Sequence, residues 1–166
     1  MQKELPVRKP IRLKGYDYSS AGCYFITICV KDWHAILWED YVGTHSVRPL
    51  SKTGDVVKTA IENIPQIYNH VSIDIFTIMP NHLHMIMRIE SDGRTLCVPT
   101  SVSRVIKQCK EYVTKQIGYS IWQPRFYDRI IRDEAEYQGI WKYIDENPQK
   151  WENDCYFTKS TPGGNP

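Results

Sequence analysis

The sequence predicts an α+β protein built around one central antiparallel sheet. Segments rich in β-branched and aromatic residues alternate with amphipathic segments in the order strand, helix, strand, strand, helix, strand, helix. Only the pair Pro80-Asn81 separates the two central strand segments, which predicts a tight connection between antiparallel neighbours. This order favours a ferredoxin-like sandwich, with helices on one face of the sheet and an added C-terminal helix.

The composition sets broad limits. A chain of 166 residues can form one domain with a sizeable core, and a net charge of +2 neither favours nor excludes a nucleic-acid partner. The five cysteines form no CxxC pair, and the sequence shows neither a secretory leader nor an apolar run that could cross a bilayer. We therefore expect a protein of the reducing cytoplasm with free thiols and no membrane contact.

The chain divides into three expected parts: a basic arm over residues 1–15, a single domain over 16–151 and a loose tail over 152–166. Arg12 and Lys14 in the arm are candidate contacts to nucleic-acid phosphates. A frayed, solvated terminus would explain the same charges equally well.

The first half of the domain supplies a strand and a helix. Aromatic and β-branched side chains predict a strand over Cys23–Asp32, whereas residues 33–49 have no clean period and are expected to form a loop. Apolar residues then recur at helical spacing. Ser51 or Thr53 can cap this helix, and Pro65 should end or kink it.

The middle of the chain supplies the two paired strands and a second helix. Strands are predicted over Val71–Pro80 and His82–Glu90. The segment Pro99–Gly118 predicts an amphipathic helix that Ser101 or Ser103 caps and that its glycine ends.

Two histidines, His82 and His84, occupy alternate positions of the second of these strands. Because side chains alternate along a strand, both imidazoles should point to the same face, about 7 Å apart along the chain. Two imidazoles at this spacing can form half of a metal site. Half-exposed histidines on the open side of the sheet are the alternative, and a metal site would need a third ligand from elsewhere.

A short strand, Phe126–Asp133, is expected to lead into a last helix, Asp133–Trp151, with acidic residues in its first turn. Tyr143 and Asn147 lie four residues apart and therefore share one face of this helix. Asn147 could complete a metal shell, and Tyr143 could attack a phosphorus atom. Alternatively, Tyr143 is an aromatic residue at the edge of the core and Asn147 merely precedes the end of the helix.

Three motifs in order carry a family resemblance: MPNHLH at residues 79–84, WQPRFYDRIIRD at 122–133 and WKYIDENPQKW at 141–151. Over residues 15–151 the chain resembles the REP-associated tyrosine transposases, bacterial enzymes of the single-tyrosine HUH type. The resemblance implies a ferredoxin-like HUH fold whose C-terminal helix is catalytic. It also implies metal-dependent cleavage and rejoining of single-stranded DNA near hairpins, through a covalent 5′-phosphotyrosine intermediate.

The resemblance also assigns roles to residues. His82 and His84 match the metal pair, Tyr143 matches the nucleophile, and Asn147 matches the third metal contact, with Mg²⁺ or Mn²⁺ as the ion. Hairpin-bearing single-stranded DNA is the implied partner, the protein is expected near the bacterial nucleoid, and both monomer and homodimer remain open. Tyr112, on the preceding helix, is a rival nucleophile that the resemblance does not select.

Cations and aromatic residues are interleaved around the expected catalytic helix, a composition that suits phosphate contacts and base stacking. The candidate DNA contacts are Arg125, Arg129, Arg132, Lys142, Trp122, Gln123, Phe126 and Tyr127. Two other functions stay open at this stage: a non-catalytic nucleic-acid-binding module, and a metal-dependent nuclease that forms no covalent intermediate.

Overall fold

The computed structural model describes residues 20–39, 48–90 and 100–157. Its sheet has four strands, all antiparallel, in the order β2-β3-β1-β4. The strands are β1 (Gly22–Cys29), β2 (Val71–Ile78), β3 (His82–Ile89) and β4 (Tyr127–Ile131). The predicted α+β class and the four-stranded antiparallel sheet are therefore confirmed.

Three helices lie where the pattern predicts them, and a short additional helix, α2, follows the first: α1 (Lys52–Glu62), α2 (Ile64–Ile67), α3 (Val102–Ile117) and α4 (Glu134–Glu146). The side chains of Ser51, Ser101 and Asp133 cap α1, α3 and α4, each accepting a hydrogen bond from the backbone N–H three residues later. Gly118, at φ 86°, ends α3 in the left-handed conformation that glycine adopts at little cost. Pro65 lies in the first turn of α2, so α1 ends before it.

The alternation of side chains along β3 separates the two faces of the sheet. Leu83, Met85 and Met87 are buried in the hydrophobic core beneath α1 and α3, and we call this side the core face. His82 and His84 point to the opposite side, the histidine face, which α4 and the segment after it cover. Because both faces are covered, seven of the eight residues of β3 are buried.

The C-terminal part of the domain differs from the prediction. The last helix ends at Glu146 rather than Trp151, and a 3₁₀ helix, Asn147–Asn153, follows it. Pro148 has no N–H to continue the α-helical hydrogen bonds, which accounts for the change.

The tail also packs further than expected. Its loose part was predicted to begin at residue 152, but the backbone carbonyl of Tyr156 accepts a hydrogen bond of 2.9 Å from Asn81, and the Tyr156 ring contacts His82. The packed chain therefore continues to at least residue 157. The arm over residues 1–15, including Arg12 and Lys14, and residues 158–166 lie outside the described residues. Within the described ranges, no helix is long and apolar enough to cross a membrane.

We predict that Gly54→Ala destabilises the fold. A Cβ at Gly54 would lie 2.2 Å from the carbonyl oxygen of Leu37, and that carbonyl is fixed by the N–H of Ser51 at 3.0 Å. Relief of this clash requires backbone movement, so the free energy of unfolding should fall by about 2 kcal/mol. Denaturant unfolding followed by circular dichroism measures the change.

Gly139→Ala in α4 is the matched control, because a Cβ there meets nothing within 4 Å. It should raise the free energy of unfolding by up to about 1 kcal/mol, the usual difference between alanine and glycine inside a helix. Equal effects of the two substitutions would show that the contact between α1 and Leu37 does not constrain the fold.

Candidate metal and nucleophile site

The strand β3 brings the two histidines together at the centre of the histidine face. The Nε2 atoms of His82 and His84 are 3.0 Å apart, and the side chains are 0% and 1% exposed. A β strand places alternate residues on one side, and the covering segment after α4 excludes water from both rings. The predicted convergence of the two imidazoles is therefore present, in a buried rather than an open setting.

Asn81 fixes which nitrogen of His82 carries the proton. The amide Nδ2 of Asn81 donates to the backbone carbonyls of Trp33 at 3.4 Å and Tyr156 at 2.9 Å, so its Oδ1 faces His82. Because Oδ1 can only accept, Nδ1 of His82 must donate the hydrogen bond of 2.8 Å between them. Nε2 of the neutral ring then keeps its lone pair for a metal ion. In the sequence, Asn81 is marked only as a turn residue and as part of the MPNHLH motif, so this role was missed.

His84 has a comparable outer partner. Its Nδ1 lies 2.8 Å from the hydroxyl of Thr27 on the neighbouring strand β1, where the two residues are paired in register. Such an outer contact orients a ligating imidazole and supports one tautomer. The inner nitrogens of both rings are thus directed toward the same point.

Burial keeps both imidazoles neutral at physiological pH. Loss of solvation lowers the pKa of His82 to about 4, against the opposing charge of Asp154. Loss of solvation, together with the nearby His82, lowers the pKa of His84 to about 3. Neutral imidazole is the form that binds metal ions.

The structure adds a carboxylate that sequence reasoning missed. Asp154 Oδ1 lies 4.0 Å from Nε2 of His82, and ligand atoms of His82, His84 and Asp154 all lie within 4.8 Å of one another. Although burial raises the pKa of Asp154, hydrogen bonds from the Tyr156 amide and the Asn147 side chain bring it below its ordinary value. Asp154 is therefore ionised at neutral pH. It falls in the stretch expected to be loose, and no sequence spacing links it to the histidines.

Asn147, the predicted third ligand, lies beside this carboxylate. Its side chain is 3% exposed, and its Nδ2 donates to Oδ2 of Asp154 at 2.9 Å. The 3₁₀ helix that begins at Asn147 turns the chain back, which brings Asp154 over the histidines. A direct metal contact by Asn147 stays a prediction.

Tyr143 completes the cluster from α4. Its hydroxyl donates to Oδ2 of Asp154 at 3.1 Å, and its oxygen lies 3.2 Å from Nε2 of His84. Burial, followed by the charge of Asp154, raises the pKa of Tyr143 above its ordinary value. The side chain is nevertheless 41% exposed, so an outside phosphate can approach the phenol.

The donor set fits a divalent ion. Two imidazole nitrogens and a carboxylate are ligands that Mn²⁺ and similar ions accept. Two ligands about 2.1 Å from an octahedral ion and at right angles to each other lie about 3.0 Å apart. That spacing equals the 3.0 Å between the two Nε2 atoms.

Comparison with known proteins supports the family resemblance of the three sequence motifs. No family model matches the chain. It is 35% identical over 167 residues to an uncharacterised protein of Haemophilus influenzae, covering 89% of this chain and 91% of the relative. It is 28% identical over 143 residues to a putative REP-associated tyrosine transposase of the same organism, covering 81% and 74%. The similarity to this named relative supports the resemblance to the REP-associated tyrosine transposases.

A solved structure has a fold similar to that of this chain. A REP-associated tyrosine transposase bound to a REP hairpin superposes on the chain with a TM-score of 0.62 and 24% identity, covering 84% of this chain and 74% of the other. The likeness shows that the α+β arrangement of the family is present here.

The structure divides the DNA contacts predicted from the sequence between the two faces of the sheet. Tyr127 is exposed beside the site, with its ring 6.4 Å from Phe25. Arg129 and Lys142 also lie toward α4, where they pair with Glu136 and Glu146.

Four of the other predicted contacts lie away from α4. Trp122, Gln123 and Phe126 line a cleft against α3, on the side of the core face. Arg125 is exposed, and its carbonyl accepts a hydrogen bond from a lysine of α3. Arg132, by contrast, directly precedes the cap of α4, and its backbone N–H donates to Glu136. The expected arrangement of these side chains around the last helix is therefore present only in part. Local sequence patterns do not show which structural elements lie beside β4.

The rival nucleophile Tyr112 lies on α3 and packs against the core cluster. Since α3 covers the core face, the sheet separates Tyr112 from the two histidines. The arrangement of the site therefore favours Tyr143.

We predict that Asp154→Asn weakens Mn²⁺ binding more than Asn147→Ala does. Loss of the carboxylate removes a charged ligand, whereas loss of the Asn147 amide removes a hydrogen bond to that ligand. The dissociation constant from calorimetric titration should rise at least about tenfold for Asp154→Asn. Asp145→Asn, at an exposed position of α4, is the control and should leave Mn²⁺ affinity unchanged. A larger loss in Asn147→Ala would instead identify the amide as the third ligand.

Proposed function

We propose that this chain cuts and rejoins single-stranded DNA next to a hairpin through a covalent bond between Tyr143 and a 5′ phosphate. The observation that carries the proposal is the position of the Tyr143 hydroxyl, 3.2 Å from Nε2 of His84, within a cluster that can hold a metal ion. The relative solved with a REP hairpin supports hairpin DNA as the substrate.

In this proposal His82, His84 and Asp154 hold Mg²⁺ or Mn²⁺, with Asn147 as a further candidate ligand. Such an ion supplies Lewis acidity toward the scissile phosphate and stabilises the negative charge that develops there. The two oxygens of Asp154 have different neighbours: Oδ1 faces His82, and Oδ2 accepts the hydrogen bond from Tyr143. One carboxylate can thus serve both the metal site and the nucleophile.

The protein's own groups account for the covalent step. The phenolic oxygen of Tyr143 attacks the phosphorus, while its proton passes to Oδ2 of Asp154 along the existing hydrogen bond. The bond from phosphorus to the 3′ oxygen breaks, that oxygen takes up a proton from water and leaves as a hydroxyl, and the proton on Asp154 passes back to water. Because a phosphodiester is exchanged for a phosphodiester, a 3′ hydroxyl can reverse the step, and rejoining needs no nucleotide cofactor.

The exposed cations supply candidate phosphate contacts around this chemistry. Arg125, Arg129, Arg132 and Lys142 are exposed, as is the aromatic ring of Tyr127. Side chains of these types bind phosphates and stack on unpaired bases, respectively. Arg12 and Lys14 of the N-terminal arm stay proposed phosphate contacts on their sequence alone.

We predict that Tyr143→Phe abolishes the covalent product and leaves the fold intact. Phenylalanine keeps the ring contacts to His84 and Phe25 but has no oxygen to attack phosphorus. Labelled single-stranded hairpin DNA is incubated with protein and Mn²⁺, and covalent complexes are separated by denaturing gel electrophoresis. At least about a thousandfold loss is expected, because the nucleophile itself is removed.

Tyr119→Phe is the matched control, because Tyr119 is 62% exposed and follows the end of α3. It should form as much covalent product as the wild type. Cleavage that persists in Tyr143→Phe would instead show a metal-dependent nuclease without a covalent intermediate. If the wild type binds the hairpin but never cleaves it, the chain is a binding module and the proposal is wrong.

A further inference from the structure

A second cavity lies away from the histidines, between α3 and the segment that leads into β4. It measures about 510 Å³, and we call it the α3 cleft. Three lysines border it, Lys107, Lys110 and Lys115, together with one acidic residue, Glu111. The charge of this border favours an anionic ligand.

The lysines of the cleft differ in how firmly they are held. Lys110 is fixed, because its Nζ donates to the carbonyls of Gln123 at 2.9 Å and Arg125 at 3.1 Å. Lys107 and Lys115 are exposed, and the salt bridge of 3.7 Å from Lys107 to Glu111 is a surface pair of small energy. Both side chains can therefore turn toward a phosphate at little cost.

The inner part of the cleft suits a nucleobase. Ile106, Trp122 and Phe126 contribute apolar surface there. Trp122 is 6% exposed, so only a small part of its ring faces the cleft. Phe126 is partly buried against the core and offers more of its ring as a surface on which a base can stack.

The cleft and the nucleophile are connected around the edge of the sheet. β4 is an edge strand, and successive residues of an extended chain point to opposite sides. Phe126 lines the α3 cleft, whereas Tyr127 points to the other side, where its ring is 6.4 Å from Phe25. Phe25 in turn lies 6.2 Å from the ring of Tyr143. A short row of aromatic rings thus leads from the edge to the nucleophile.

A path around this edge favours a single strand over a duplex. An unpaired strand is flexible enough to bend sharply, whereas a double helix has a persistence length of about 150 base pairs and bends around a sheet edge only at a high cost in free energy.

We propose that the α3 cleft binds one unpaired nucleotide of the same DNA strand that Tyr143 cuts, with its base against Phe126 and Trp122 and its phosphates at Lys107 and Lys115. The strand then crosses the β4 edge along Tyr127. The proposal rests on the proposed function for its substrate, and it adds a contact on the far side of the sheet that fixes how the strand enters the site.

The test compares binding of two labelled DNA hairpins, one blunt and one with six unpaired nucleotides on each side. Fluorescence anisotropy gives the dissociation constants for Tyr143→Phe protein, which binds without cleaving. Adding the double change Lys107→Glu and Lys115→Glu should raise the dissociation constant for the flanked hairpin about tenfold and leave the blunt hairpin unchanged. For the flanked hairpin, the plot of log affinity against log salt concentration should become less steep by about 1.4, as expected for two lost single-strand phosphate contacts.

Lys52→Glu with Lys58→Glu on α1 is the matched control. Lys58 forms the same kind of exposed pair with Glu62, at 3.9 Å, and the total charge change is equal. An equal loss in this control, or an equal loss for the blunt hairpin, would overturn the proposal, because the lysines would then act through general attraction or through the stem.

Abasic positions in the flank test the base contact. Removal of the flanking bases should weaken binding to the unaltered cleft about fivefold or more, the usual effect of one lost base contact. Unchanged binding would contradict a base in the cleft. These measurements need no cleavage, so failure of wild-type protein to form a covalent product would overturn the proposed chemistry separately.

Discussion

The hydrogen bonds of the Asn81 amide are the interaction on which the arrangement of the site depends. One side chain joins three parts of the chain: the first histidine of β3, the carbonyl of Trp33 after β1, and the carbonyl of Tyr156 near the C-terminus. Because its Nδ2 is committed to the two carbonyls, its Oδ1 must face His82. The orientation of the imidazole and the position of the C-terminal segment are therefore set by the same amide.

This arrangement makes burial of the histidines tolerable. A buried polar group costs free energy unless it is hydrogen-bonded, and both outer nitrogens have partners, Asn81 for His82 and Thr27 for His84. The inner nitrogens of the two rings lie beside each other. The inner nitrogen of His84 also lies near the Tyr143 hydroxyl, and that of His82 lies near the Asp154 carboxylate. The outer ring nitrogens therefore keep hydrogen-bond partners although water is excluded. The same exclusion of water lowers the pKa of both imidazoles and keeps the rings neutral.

Local patterns were sufficient for much of the fold and for part of the site. The period of two along β3 predicted that His82 and His84 share a face, and a spacing of four predicted the same for Tyr143 and Asn147. Asp154 could not be found in this way. Its position depends on the hydrogen bond between Asn81 and Tyr156, which are 75 residues apart. The division of the predicted DNA contacts likewise depends on β4 being an edge strand, a property of the whole sheet.

The helix that carries Tyr143, the proposed nucleophile, is attached to the sheet largely by polar contacts. Ile144 is the buried residue of α4, so apolar burial alone holds this helix weakly. Instead, the hydroxyl of Tyr137 donates to Asp74 at 2.9 Å, and Arg88 binds the same carboxylate at 2.7 Å while its guanidinium lies 5.7 Å from the Tyr137 ring.

Asp74 is available for this contact because it follows Ile73, which packs against the core, so the alternation of β2 turns Asp74 toward the histidine face. The irregular pairing between Ile73 and Ile75 lies at the same position. Directional contacts of this kind fix the rotation of a helix more narrowly than apolar packing does, since a hydrogen bond weakens steeply as its angle changes. The placement of the Tyr143 hydroxyl over the histidines thus depends on the polar contacts between Asp74 and α4, and on the 3₁₀ helix after α4, which brings Asp154 to the other side of the cluster.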